Sequence, residues 1–449
     1  MDKPREEIRI TNANVIDIRN GNIMTAMDIL IADGKILALE KSPKIYSDNV
    51  ELIDGSRKYV IPGLWDLHIH LRGGDSLISA NRSLLPLYLA HGVTTVRDAG
   101  GDLTPSIMKW REAVRSGEIA GPYIFTSGPK LDGPDPTWEG SIEINSPEEV
   151  AAAVDSLESI GVDYVKTYDS RMSGDVYLSI IQETQKRGLK VTGHMPMTVS
   201  IDEAIDAGLD GIDHLYYVLK GTSSREEEIN QAVISGEMGF WGAVRELLDS
   251  YEEEIATEFY KKLAENNVAV VPTLHIDDVL SYLHEEDHSG DEFLKYIPDE
   301  LEATYQRRLR SALRRNEASI EFEEQMNLFF KDMVNDMYEA GVLLLAGSDA
   351  GAYNSFVYPG LSLHKELEAF QTSGLTPLQA LQTSSLNGAT FLEENAVFWR
   401  ASSEADLILL NENPLDDVAN TTSIFGVMQD GKYYSREDLD AILEAAITD

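Results

Sequence analysis

The 449-residue chain contains no cysteine, which excludes disulfides, thiolate metal sites and cysteine nucleophiles together. Any metal must then be held by His, Asp, Glu or a modified Lys. Basic residues are scarce: 37 Lys and Arg stand against 77 Asp and Glu, a net charge of -40. That sign argues against nucleic-acid binding and against an anionic membrane surface. Two readings of the acidity stay open: a hydrated, solubilising surface, and adaptation to high salt, where self-repulsion is screened. No run approaches the ~18 apolar residues of a membrane span. The opening MDKPREEIRITNANV has no apolar core of the secretory kind. The expectation is therefore a soluble chain, cytoplasmic or exported with its signal removed.

What is present is enough for one large buried core and a smaller companion. EEIRITNANVIDI and MDILIADGKILALE alternate apolar and polar residues, with Asp33-Gly34 as a hairpin turn. The same grammar returns in ADLILLNENP and IFGVMQDGKYY, with a turn at Asp430-Gly431. Between these ends, short apolar runs alternate with amphipathic helical patterns. The runs are YVIPGLWDLHIH, GVTTVRD, PYIFTSG, DYVKTY, LKVTGH, GIDHL, VAVVPTL and VLLLAGSD. Such an alternation predicts an α/β fold, a (β/α)8 barrel with its site at the C-terminal strand ends. The two chain ends are expected to form a small β-sandwich. The expected division is residues 1–59 and 396–449 for the sandwich and 60–395 for the barrel. The acidic helical stretch from Leu219 to Glu339 elaborates the barrel's top, and Thr376-Pro377-x-Gln379 opens a capped helix.

Residues two apart on a strand point the same way, so His68 and His70 share a face at the end of the first run. The other strand ends carry Lys166, His194, Asp213-His214 and Asp349. Buried charges are costly unless paired or bound to metal. Two divalent cations in imidazole and carboxylate ligation, which suits zinc, satisfy all of these groups at once. His68, His70 and Asp349 would hold one ion, and His194 and His214 the other. Lys166 would bridge the two as an N6-carboxylated lysine, because an ammonium has no lone pair to offer.

VIPGLWDLHIHL, GVTTVRDAGG, VTGHMPMTVS, IDHLYYVL and LLLAGSDAG together resemble the amidohydrolase superfamily. The resemblance is to its imidazolonepropionase-like branch, which includes metal-dependent prolidases that cleave Xaa-Pro dipeptides. It implies a hydrolase that attacks an amide or ester with a hydroxide activated by two metals, with Asp349 as both ligand and catalytic base. A prolidase-like dipeptidase is the expected activity. The rival is a mononuclear, imidazolonepropionase-like hydrolase of a cyclic amide or lactone. The fourth run departs from the branch, continuing KTYDSR in place of a glycine-rich turn.

Arg72, Tyr168, Tyr216, Tyr217 and His275 follow strand ends and are candidate contacts for a small-molecule substrate. Asp98 orders a turn, His91 ends a helix and His364 sits on one. A remote alternative lies in HEEDH, His284 to His288, which matches the HExxH zinc-endopeptidase pattern. That motif needs one helix and a third ligand, and the acidic stretch around it offers neither. Assembly into a homo-oligomer is left open.

Overall fold

The computed structural model describes residues 7–41, 50–394 and 399–448. The first six residues of the opening segment and the expected boundary after Asn395 lie outside the described residues. No helix among those described is long and apolar enough to cross a membrane.

Eight extended segments follow one another around a parallel ring. Leu64–His70 pairs with Val93–Asp98, and that strand with Tyr123–Thr126. The step to Tyr164–Thr167 is made by Asp163, whose amide donates to Thr126 O at 2.9 Å. Lys190–Gly193, Gly211–Asp213 and Ala269–Val271 then pair in order. The eighth segment joins Val270 through Leu343 O and the Leu345 amide, at 3.0 and 2.9 Å. It returns to the first strand through Leu67 N to Ala346 O and Asp349 N to His68 O, at 2.8 and 2.7 Å. Most of these strands are buried along nearly their whole length, Tyr123–Thr126 with its alternating burial being the exception, which is why they read as apolar runs and not as alternations.

Both chain ends build a second sheet. Its central strand, Tyr59–Pro62, lies between Glu7–Asp17 and Leu407–Leu410. The first apolar run thus divides at Gly63. Its early part pairs in the terminal sheet, so the change of sheet falls after Pro62 and not after residue 59. Only glycine fits at the junction, since a Cβ there would stand 2.1 Å from Thr94 Oγ1. Asp33 and Gly34, and likewise Asp430 and Gly431, all have positive φ, as a two-residue hairpin turn requires. Side-chain alternation couples the layers. Leu407 and Leu409 face the terminal sheet's own core, while Ile408 and Leu410 join the barrel's cluster. Each such buried side chain contributes about 1.5–3 kcal/mol.

The helices begin where their caps stand. Pro377–Phe391 starts with a reciprocal capping box of Thr376 and Gln379, as expected. The expected helical elaboration is present after the sixth and seventh strands, in Phe240–Asp249, Glu253–Glu265, Leu274–Tyr282, Asp299–Ala312 and Glu317–Glu339. These long excursions put their helices beside the strand ends that carry the polar residues.

Candidate metal centre

All six side chains expected at the centre reach the same end of the ring. His70 Nε2 lies 3.1 Å and His68 Nε2 3.6 Å from Asp349 Oδ1. The His68 ring stands 5.2 Å from His70 and 5.0 Å from His214, and His214 is 5.0 Å from His194. His68, His214 and Asp349 each offer a ligand atom within 4.8 Å of one another. This grouping cuts across the expected division, in which His214 served the second ion.

Three of the imidazoles are oriented through Nδ1. His70 donates toward Gly100 O at 3.4 Å, His194 to Asp169 Oδ1 at 3.1 Å and His214 to Thr273 Oγ1 at 2.8 Å. With Nδ1 engaged, Nε2 keeps its lone pair free, which is how ligating histidines are usually held. Burial pushes His70, His194 and His214 well below the ordinary imidazole pKa, so the rings are neutral donors. His68 is fully buried, and neither of its ring nitrogens has a hydrogen-bond partner. Asp349 Oδ1 is likewise buried without one. Orphaned lone pairs of this kind are costly unless something occupies them. A divalent cation fits the donor set.

Lys166, fully buried, pairs through Nζ with Asp213 Oδ2. Arg97 Nη2 takes the other oxygen of Asp213 at 3.0 Å, and His68 Nδ1 stands 3.5 Å from it. Burial lowers the Lys166 pKa against the opposing pull of the Asp213 carboxylate. Sequence reasoning missed Arg97 and gave Asp213 no role. Their only signal is that both are charged residues inside apolar runs.

The backbone is bent sharply where these groups are presented. His214, Thr273 and Asp349 have φ of 68°, 54° and 58°, a region uncommon for residues other than glycine and disfavoured most for β-branched threonine. Each lies at the end of a barrel strand, turning the side chain over the ring. Gly347 permits the approach of the eighth segment, since a Cβ there would fall 2.6 Å from His68 Cβ.

A cavity of about 470 Å³ opens over the centre. Of the expected substrate contacts, Arg72, Tyr168, Tyr216 and Tyr217 line it. Arg72 is buried, donates from Nε to Ala352 O at 3.0 Å and stacks its guanidinium 3.9 Å over Trp138. Tyr168 stacks on His194 at 4.2 Å, and Tyr217 donates to Asp169 Oδ2 at 3.0 Å. The KTYDSR departure thus has a use: it supplies the carboxylate that orients His194. His275 is not among the described residues lining the cavity. Its amide and that of Leu274 donate to buried Glu366 at 2.7 and 3.0 Å, and the same helix turns Asp277 inward instead. Lys130 and Asp277 line the cavity too, and sequence reasoning named neither.

The remaining polar candidates are structural. Asp98 accepts from Leu71 N and Thr126 Oγ1 at 3.0 and 2.7 Å. His91 ends the helix Ile78–Ala90, and buried His364 bonds its carbonyl at 2.9 Å. HEEDH does not form a helix: His284 follows Leu274–Tyr282 in a turn, and His288 opens a separate short 3-10 segment. The HExxH geometry is absent, and the endopeptidase alternative falls with it.

The family model described as Amidohydrolase family matches residues 59–434. An adenine deaminase of Staphylothermus marinus is 24% identical over 296 residues, 62% of this chain and 48% of that enzyme. The match therefore spans about half that relative's length. Among solved structures, a bottromycin amidohydrolase superposes with a TM-score of 0.76 at 23% identity, over 99% of this chain and 91% of that one. A Xaa-Pro dipeptidase with bound methionine gives 0.71 at 20% identity, over 96% and 100%. Likenesses at these identities carry the fold. The family match extends from the last strand before the barrel to the closing strands of the terminal sheet, and the chain belongs to the amidohydrolase family.

Proposed function

We propose that this chain is a metal-dependent hydrolase of a small amide, most specifically a prolidase-like dipeptidase. The observation that supports it best is the pair of buried orphans, the His68 ring and Asp349 Oδ1, converging with neutral His70, His194 and His214. His68, His70, His194, His214, Asp349 and an N6-carboxylated Lys166 would hold the ions, two of zinc or a similar metal. When bound, such ions make water a nucleophile near neutral pH and polarise a carbonyl.

The chain's own residues supply the rest. Asp349 Oδ1, close to His70 and His68 but without a hydrogen-bond partner, takes a proton from the attacking water and returns it to the leaving nitrogen. The water oxygen bonds to the acyl carbon, the C–N bond breaks, and the amine departs with that proton. Tyr168 and Tyr217 wall the cavity beside His194. A cavity of about 470 Å³ accommodates a dipeptide and not a folded protein.

Asp349→Asn should abolish hydrolysis of a Xaa-Pro dipeptide while the chain keeps its melting transition. Retained turnover in this variant would remove Asp349 from its role.

One observation favours a second reading, a mononuclear hydrolase of a cyclic amide or lactone. His68, His214 and Asp349 form a three-ligand group by themselves, and the Lys166 amine has a partner in Asp213. A single ion per chain with activity on a lactam, and none on dipeptides, would select it.

A further inference from the structure

Two side chains lining the cavity are buried, of opposite charge type, and short of partners. Lys130 is 1% exposed, and its Nζ has no hydrogen-bond partner. It lies 5.3 Å from the Trp138 centroid and 5.6 Å from Tyr168, with Asp98 and Asp349 acting on it through space and not bonded to it. Arg72, stacked on the other contact of Trp138, adds a second cation to the same corner. An unpartnered buried amine beside a buried guanidinium, both over one indole, leaves a place for an anion; without one, burial and the nearby Arg72 hold the Lys130 pKa well below the usual lysine range. Asp277 is 6% exposed. Its Oδ1 accepts from Tyr216 OH at 2.6 Å, and its Oδ2 has no partner. Its cavity neighbours Arg308 and Arg315 are engaged elsewhere: Arg308 with Tyr353 O and Asn354, Arg315 with Glu323.

Topology fixes where these two stand. Lys130 leaves the third strand, Tyr123–Thr126, and Asp277 follows the seventh, Ala269–Val271. In a ring of eight the third and seventh strands are opposite each other. The candidate ligands come from strands one, four, five, six and eight, so the centre lies between them. We propose that the cavity takes a short zwitterion, with its carboxylate on Lys130 beside Arg72 and its ammonium on Asp277. The amide bond joining the two ends is then held over the His–Asp cluster. This deepens the hydrolase reading and rests on it for the position of the reacting bond. The substrate class that follows is an unblocked dipeptide, with both termini recognised.

Calorimetric titration with glycyl-L-proline, its N-acetyl derivative and its C-terminal amide tests the pairing on Asp349→Asn, which would bind without turnover, once elemental analysis shows that it holds as much metal as the wild type. Blocking either end is expected to weaken binding about tenfold or more, as loss of a buried charge-assisted hydrogen bond does. On the same background, Lys130→Met should erase the difference between acid and amide, and Asp277→Asn the difference between free and acetylated amine. Each variant should leave discrimination at the opposite end intact. Equal affinity for all three ligands, no binding by any, or unchanged discrimination in the variants would overturn the proposal. Turnover by the wild type separates the two readings. The expected binding pattern with no hydrolysis would remove the hydrolase reading and leave the charge pair standing. Hydrolysis of blocked and free dipeptides at one rate would do the reverse.

Discussion

His194 Nδ1 faces both Asp169 Oδ1 at 3.1 Å and the Tyr217 hydroxyl at 2.8 Å, and Tyr217 in turn donates to the second oxygen of Asp169 at 3.0 Å. One carboxylate thus fixes both the tautomer of a candidate ligand and the wall beside it. Asp169→Asn keeps the shape and loses the charge that holds the imidazole. Metal affinity is expected to fall roughly 10- to 100-fold, measured by competition with a fluorescent chelator. Unchanged affinity would make Asp169 a packing residue.

Metal content decides between the two centres. Elemental analysis of wild type purified without chelator should give about two ions per chain, and Lys166→Ala about one or none, as a bridging carbamate requires. One ion in both would leave Lys166 outside the centre and carry the mononuclear reading.

Thr273 combines a strained backbone with a useful hydroxyl. At φ 54° a glycine relieves strain but loses more chain entropy on folding, so Thr273→Gly should lie within about 1 kcal/mol of wild type. Its metal affinity should nevertheless drop, because His214 Nδ1 loses its acceptor. Thr273→Ser should retain that affinity. Equal loss in both variants would show that the methyl group, not the hydroxyl, positions the ring.

Asp406 sets a pH dependence away from the centre. Burial pushes it from 3.8 up to about 7, so the native state keeps a proton that the unfolded chain has already released. Stability is therefore greatest at acid pH with respect to this group, and falls as pH rises from about 4 through about 7. Asp406 accepts from the Asp430 amide at 2.9 Å, a contact that asparagine can keep. Asp406→Asn should gain on the order of 2 kcal/mol above neutrality and little at acid pH. Urea melts across that range check it, and a gain independent of pH would refute the assignment.

The charge of -40 predicts a response to salt. Self-repulsion is screened over shorter distances as ionic strength rises, so melting temperature should climb by several degrees between dilute buffer and molar KCl. An uncharged osmolyte at equal osmolality should not reproduce the full rise. A flat response to KCl would leave hydration alone as the reason for the acidity.

The ring of strands was legible because most barrel strands are buried along nearly their whole length and are read as apolar runs. His68, His70, Lys166, His194, His214 and Asp349 stood out as polar groups ending such runs. Arg97 did not, since its guanidinium is used across the ring, on Asp213, and no local pattern records a partner 116 positions away. Lys130 and Asp277 were equally silent, one in a loop after a strand and the other in a first helical turn where an acid is ordinary. His275 was misplaced by two positions. A helix starting at Leu274 rotates its residues by about 100° each, and the cavity receives Ile276 and Asp277 instead.

The strand Tyr59–Pro62 is gripped from one side by Glu7–Asp17 and from the other by Leu407–Leu410. During synthesis the first of these neighbours exists long before the second. The early sheet must therefore leave the ribosome with an unpaired edge and wait, exposed, until nearly all of the barrel has been made. An open edge of that kind invites pairing with other chains. The first sixty residues are themselves close to neutral, so the negative charge that keeps chains apart arrives only with the barrel that follows.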